Sequence, residues 1–286
     1  MPEMPEVHAL AVDLSQRLEG QVVERFDVTS ISALKTFDPP LSAVAGLEVR
    51  EVTHHGKFLD LDLESLHVVV HLAKAGWIRW YDVLPKPRTG RGAMAGRLAL
   101  RDGSGLAITE AGATKRLAIW VVTDPLTVPG IATLGPDPLD PAFTEERFAE
   151  ILHGAGRAQI KGVLRNQGLI AGIGNAYSDE ILHAARMSPF KPASMAPDDV
   201  ARLYTVMREL LADAVRRSEG LAASDLKSEK RSGMRVHGRT GEACPVCGDT
   251  IHQVRFADSS LQYCPTCQTG GKPLADRALS RLGITR

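Results

Sequence analysis

Residues 244–267 read CPVCGDTIHQVRFADSSLQYCPTC, and this stretch holds all four cysteines of the 286-residue chain. A two-residue gap lets a tight turn bring two thiolates within about 2.3 Å of one ion, and two such turns close a tetrahedral site of four sulfurs. Cys244, Cys247, Cys264 and Cys267 are therefore expected to hold one Zn2+. With four protein ligands the site has no open coordination position, so the metal is structural. It would fasten a hairpin of residues 250–256 against 261–263, packed by Ile251, Val254, Phe256 and Leu261. Two disulfides are the competing assignment, but they suit an oxidising compartment. The start MPEMPEV is too polar for a signal peptide, and no apolar run approaches the roughly 20 residues a membrane span needs. The expectation is a cytoplasmic protein with no membrane partner.

Outward from the ribbon, the charge is uneven. The chain carries 34 Lys+Arg against 34 Asp+Glu, yet residues 1–155 hold 15 against 21 and residues 156–286 hold 19 against 13. The zero total is a cancellation of an acidic half by a basic one. Excess Lys and Arg on one half is the form in which phosphate affinity appears, because cations on a nucleic-acid backbone release counterions. A hydrophobic fraction of 44% with 24% charged excludes wholesale disorder, and the length suits about two domains.

The halves also differ in pattern. Short β-branched and apolar runs at 49–52, 58–63, 67–71, 98–100, 106–109 and 117–122 predict a β-sandwich or barrel. A helix at 7–18 precedes it, with Val7, Leu10, Ala11, Leu14 and Leu18 on one face. Residues 85–96, PKPRTGRGAMAG, read as an exposed loop. Three prolines in LGPDPLDP, residues 134–141, cannot continue a helix or central strand and mark a linker. Helical patterns follow at 143–152 behind a capping Asp140, then at 160–166, 175–185 and 197–218. Residues 220–241 are cationic, with Lys227, Lys230, Arg231, Arg235 and Arg239, and have no period; they read as a loop. The fold class is an α+β multidomain chain: a β-sandwich domain over 1–135, a linker at 136–142, a helical domain over 143–235 and a zinc finger over 236–286.

At the other terminus stands Pro2-Glu3. Removal of Met1 leaves a secondary amine at Pro2, and an α-amino pKa near 8 keeps an appreciable fraction unprotonated at neutral pH. Such an amine attacks an aldehyde-level carbon to give an iminium, an electron sink. Glu3, one residue on, can serve the same centre as general acid or base.

Six stretches now stand in order: MPEMPEV, GKFLDLDL, HLAKAG, LGPDPL, QIKGVL with GLIAGIGNAYSDEIL, and HGRTGEACPVCG with YCPTCQ. Together they resemble the formamidopyrimidine-DNA glycosylase/endonuclease VIII family over nearly the whole chain. The resemblance implies an N-terminal helix with a β-sandwich, a helix-two-turn-helix domain and a zinc finger hairpin, with damaged or abasic double-stranded DNA bound between the halves by a monomer. It implies a bifunctional repair enzyme that flips out an oxidised base, releases it and cuts the strand. Carried over, Pro2 is the nucleophile, Glu3 protonates the opening sugar, Lys57 contacts phosphate and donates a proton in β-elimination, and Glu6 supports the pocket. Gly174 and Asn175 fall in the turn that grips the lesion strand, His71 in the DNA cleft, and Arg157 and Lys161 beside the same backbone. A glycine turn ahead of a helix start suits an anion independently, since backbone approaches closely and free N–H groups face it.

The chain also departs from that pattern. Lys74 stands where a Met commonly fills the hole left by the flipped nucleotide. The two companion positions fall at Lys115 and Leu117, with Arg116 able to take the Arg part and Leu117 a candidate wedge between bases. Ser259 stands where the finger usually carries an Arg, and Arg255 is the nearest substitute; His8 replaces a common acidic residue. Two other readings therefore stand beside the enzyme. One is a damaged- or abasic-DNA binding protein of the same fold with little or no catalysis; the other is a zinc-ribbon protein unrelated to DNA, which leaves five of the six stretches unexplained.

Overall fold

Glu3 is the N-cap of the first helix, α1 (Met4–Leu18), and its backbone N–H is donated to the Glu6 carboxylate at 2.8 Å in a reciprocal capping box. The helix begins a turn earlier than the apolar pattern suggests, because Pro5 fits the first turn without loss of a needed hydrogen bond. Val7, Leu10, Ala11, Leu14 and Leu18 are all buried, as their spacing predicts. The computed structural model describes residues 1–86, 93–257 and 259–275.

Two antiparallel four-stranded sheets follow. One runs in the order β1 (Val23–Val28), β6 (Met94–Leu100), β7 (Gly105–Glu110), β5 (Gly76–Tyr81), and the other β2 (Glu51–His55), β3 (Phe58–Leu63), β4 (Leu66–His71), β8 (Ala118–Val122). Leu59, Leu61, Leu63, Val68 and Val70 from the second sheet meet Leu98, Leu100, Leu106 and Ile108 from the first in one core with α1. Each such side chain removed from water contributes about 1.5–3 kcal/mol. The region expected as a loop at 85–96 is shorter than that: Met94–Gly96 already belong to β6, and residues 87–92 lie outside the described residues.

The second half supplies α2 (Glu145–Ala155), α3 (Ile160–Arg165), α4 (Asn175–Ala184), α5 (Pro197–Ser218), α6 (Leu226–Gly233), the hairpin β9 (His252–Arg255) with β10 (Ser260–Tyr263), and α7 (Pro265–Thr269). Thr144, rather than Asp140, caps α2 with its side chain. The stretch 220–241 is a loop only in part, since it contains α6. Compact packing divides the chain into Met1–Leu134 with Val215–Glu229, and Gly135–Ala214 with Lys230–Arg286. The first unit is thus discontinuous. Ala223 and Leu226 are buried in the sandwich core, Trp77 Nε1–H is donated to the Ala223 carbonyl at 3.0 Å, and the Lys227 ammonium lies 4.4 Å from the Trp77 ring centroid.

Candidate active site and metal centre

In the first unit, the residues singled out at the amino end are all buried: Pro2, Glu3 and Glu6 at the start of α1, and Lys57 at the tip of the β2–β3 hairpin. Gly56 takes the first position of that two-residue turn at φ +55, the left-handed geometry that a tight hairpin wants. The Glu6 carboxylate is engaged by the Glu3 N–H, so it fixes the peptide that joins Pro2 to Glu3. Glu6 is in this sense a positioning residue. His71 packs its ring against Phe58 at 4.7 Å, and burial, then the charge of Lys57, pushes its pKa down to about 4. It is neutral at pH 7, able to hydrogen-bond but not to meet a phosphate as a cation.

That depression sets a pH dependence. Between about 6.5 and about 4 the unfolded chain takes up a proton that the folded His71 refuses, so this group's contribution is intact above 6.5 and lost as pH falls toward 4. Acid titration of thermal stability should therefore flatten in His71→Gln over that window; an unchanged profile would exclude His71 as its source.

Lys74, Lys115 and Arg116 are brought onto neighbouring turns. Lys74 is exposed in the Leu72–Gly76 turn, which Gly76 N–H closes on the Leu72 carbonyl at 2.8 Å; a Cβ at Gly76 would come within 2.1 Å of that carbonyl oxygen. Ala111 N–H reaches the Ala75 carbonyl at 3.2 Å and so ties this turn to the loop of Lys115 and Arg116. Glu110 organises that loop: its buried carboxylate accepts from the Arg116 and Leu117 N–H groups at 2.7 and 3.0 Å, and Lys115 Nζ is donated to its carbonyl. Leu117 itself corrects the sequence reading. It is 1% exposed, a member of the sandwich core beneath Gly76, and so it anchors the loop and cannot wedge between bases.

In the second unit, Gly174 caps α4 and Asn175 opens it. Gln167 clamps the turn from the side, its Oε1 accepting from Gly172 N–H at 3.0 Å and its Nε2 donating to the Ile173 carbonyl at 2.7 Å. Asn175 Nδ2 donates to the Ser260 carbonyl at 2.7 Å, so turn and hairpin hold each other. Arg157 is exposed beyond α2, and Arg255 is exposed at the end of β9. Lys161 corrects a second expectation. Its side chain is 6% exposed and its ammonium is spent on Asp179 Oδ1 at 2.7 Å, Ser178 Oγ at 2.7 Å and the Asn175 carbonyl at 3.1 Å, which leaves no donor for a phosphate. Within the cationic stretch, Lys230 sits over the Tyr177 ring at 4.7 Å and Arg239 is paired with Glu242 at 3.0 Å.

Sequence reasoning missed the acidic pair of α4. Asp179 Oδ2 also accepts from His237 Nδ1 at 2.7 Å, and Glu180 accepts the backbone N–H groups of Arg235, Val236 and His237 at 2.8–3.0 Å, with burial raising its pKa. Two consecutive carboxylates, directly ahead of the apolar Ile181-Leu182 in the same helix, were the available signal. They seat the ribbon on α4.

The four cysteine sulfurs lie within 4.8 Å of one another, with 3.9 Å between Cys244 and Cys267 and 3.4 Å between Cys247 and Cys264. Four ligands at the Zn–S distance stand about 3.8 Å apart along a tetrahedron's edges, so the thiols fit one zinc ion and are too far apart for disulfides. They are free thiols, and Cys244 and Cys264 share a small core with Val236 and Ile251. Stripping the metal with a chelator should therefore release one zinc per chain and loosen the hairpin. Cys244→Ser should do the same, with weaker DNA affinity and a shallower salt dependence; full affinity after metal loss would contradict it.

A sandwich behind a proline-started helix, a glycine turn on a helical unit and a four-thiolate ribbon are the three modules of the class that the six sequence stretches resemble. Family models match all three parts: the formamidopyrimidine-DNA glycosylase N-terminal domain over residues 1–114, the formamidopyrimidine-DNA glycosylase H2TH domain over 134–225, and a zinc finger found in FPG and IleRS over 241–270. The chain belongs to the formamidopyrimidine-DNA glycosylase family. It is 32% identical over 277 residues to a formamidopyrimidine-DNA glycosylase of Symbiobacterium thermophilum, which covers 94% of this chain and 89% of the relative. Among solved structures, it is similar to Lactococcus lactis formamidopyrimidine-DNA glycosylase non-covalently bound to DNA containing an AP site, at TM-score 0.80 and 25% identity, over 93% of this chain and 99% of that one. It is also similar to MutM in complex with DNA containing carbocyclic 8-oxo-G, at TM-score 0.82 and 26% identity, over 94% and 100%. Among the described residues no helix is long and apolar enough to cross a membrane.

Proposed function

We propose that this chain is a base-excision enzyme that removes oxidised bases of the formamidopyrimidine and 8-oxoguanine type from double-stranded DNA and then cuts the abasic strand. The observation that carries the reading is the Pro2-Glu3 pair buried at a capped helix start, with Glu6 holding the peptide between them. After Met1 is removed, the Pro2 nitrogen attacks C1′ of the lesion nucleotide as the glycosidic bond breaks. Glu3 protonates the ring oxygen, and the opened sugar is left as an iminium on Pro2. Loss of a C2′ proton then expels the 3′ phosphate, and water hydrolyses the iminium to return the amine. Lys57 holds a phosphate and supplies protons in elimination; Arg157, Gly174, Asn175 and Arg255 face the backbone; Lys74, Lys115 and Arg116 act at the hole left by the flipped nucleotide. The domain divisions at 135 and 143 belong to the proposal, with residues 215–229 packing on the first unit and not in the helical domain, as does a cytoplasmic site of action, which a four-thiol zinc set favours.

Borohydride reduces the iminium to a stable tertiary amine, which makes trapping the direct test. Zinc-loaded protein whose Met1 has been shown by mass spectrometry to be absent should cross-link to duplexes with an abasic site or 8-oxoguanine, and Pro2→Gly should trap far less. Absence of an adduct with every such duplex would sink the lyase reading and leave the second one, a protein that binds damaged DNA without cleaving it. The altered Lys74 turn is what favours that second reading.

A further inference from the structure

Helix α4 carries one more polar side chain toward the ribbon, and neither the proposed chemistry nor the four-thiolate geometry uses it. His183 is 2% exposed, and its Nε2 lies 3.3 Å from Sγ of Cys244, itself 2% exposed. Its other nitrogen, Nδ1, is buried and meets no hydrogen-bond partner among the described residues. An imidazole placed for packing alone gains nothing over a phenyl ring and has the cost of an unpaired buried nitrogen. Among the described residues, the one hydrogen-bond contact that directs this ring is the cysteine sulfur.

We infer that His183 is a positioning residue for the metal: its Nε2–H is donated to the Cys244 thiolate in the zinc-loaded protein and holds that ligand on the ion. The chemistry of the two atoms fixes the direction. A zinc-bound thiolate has no proton and can only accept, so the ring proton must sit on Nε2, and Nδ1 is left as a bare lone pair, the less costly of the two ways to bury it unpaired. A hydrogen bond to coordinated sulfur withdraws charge from it, which lowers its basicity toward incoming protons and slows dissociation of the ligand. The contact also completes a series along one helix. Asp179, Glu180 and His183 of α4 hold, in turn, His237 and Gln262, the N–H groups of 235–237, and Cys244. The first residue of the same helix is Asn175 of the glycine turn. Metal, helix and turn are thus linked through side chains on one rigid element.

The test uses full-length zinc-loaded protein and reads zinc, not repair. Removing an outer-shell partner of a metal ligand typically costs about 10–100-fold in metal affinity, so His183→Phe should release zinc to a chromogenic chelator at least about tenfold faster than the unaltered protein. His183→Gln, whose Nε2 can donate from nearly the same place, should recover most of the retention. In the unaltered protein, nitrogen NMR of the ring should show the proton on Nε2. Zinc retention by His183→Phe equal to that of the unaltered protein overturns the inference. So does a ring proton on Nδ1 in the zinc-loaded state. Should His183→Phe fail to fold, the ring spectrum decides alone.

Discussion

Glu3→Gln is expected to lower the rate of base release by about 10²–10⁴-fold, the range that a positioned general acid or base commands. Gln keeps a side-chain oxygen at the N-cap and leaves the Glu6 contact to the Glu3 N–H undisturbed. The helix start should therefore survive, and both thermal stability and affinity for abasic duplex should stay close to those of the unaltered protein. What is lost is the exchangeable proton. The substitution separates chemistry from architecture: single-turnover release of 8-oxoguanine should collapse while gel-shift affinity stays put. Release within tenfold of normal would remove Glu3 from the proposed mechanism and move the proton transfer elsewhere.

Lys161→Met should have the largest effect on stability. Asp179 is fully buried, and Lys161 supplies the ammonium at 2.7 Å that balances it. Breaking such a pair from one side leaves an uncompensated buried charge, at a cost of about 3–5 kcal/mol, whereas replacing both partners is often neutral. Denaturant unfolding followed by a probe in the helical unit should show the loss in Lys161→Met and its recovery in Lys161→Met with Asp179→Asn. Arg157→Ala serves as the contrast, since that exposed residue should leave stability unchanged and reduce the salt slope of DNA binding by about one. A Lys161→Met variant as stable as its parent would return Lys161 to the list of phosphate contacts.

Much of the site could be read from the chain because its signals are local. Two C-x2-C turns name four ligands by themselves, and the adjacency of Pro2 and Glu3 is what suggests the chemistry proposed for them. What escaped reading depends on distant partners. Lys161 looks like any cation beside a glycine turn until Asp179 is folded against it, and Leu117 looks like a wedge until Gly76 admits it to the core. Helix α6 has one buried residue, Leu226, so its sequence has no apolar stripe to reveal it; contacts with the sandwich core, not periodicity, define it. Strand β5 is hard to read in the sequence for a related reason. Trp77 and Ile78 are both buried, so the run lacks the alternation of a half-exposed strand.

The return of residues 215–229 to the first unit has a practical consequence for dissecting the molecule. A fragment cut at residue 134 would look complete by sequence order, since it contains both sheets and α1. It would nonetheless lack Ala223 and Leu226, two buried side chains of the sandwich core, and leave the Trp77 indole N–H without its carbonyl. Such a piece should be recovered as aggregate, and restoring it requires the strap to be supplied as a linked or added peptide.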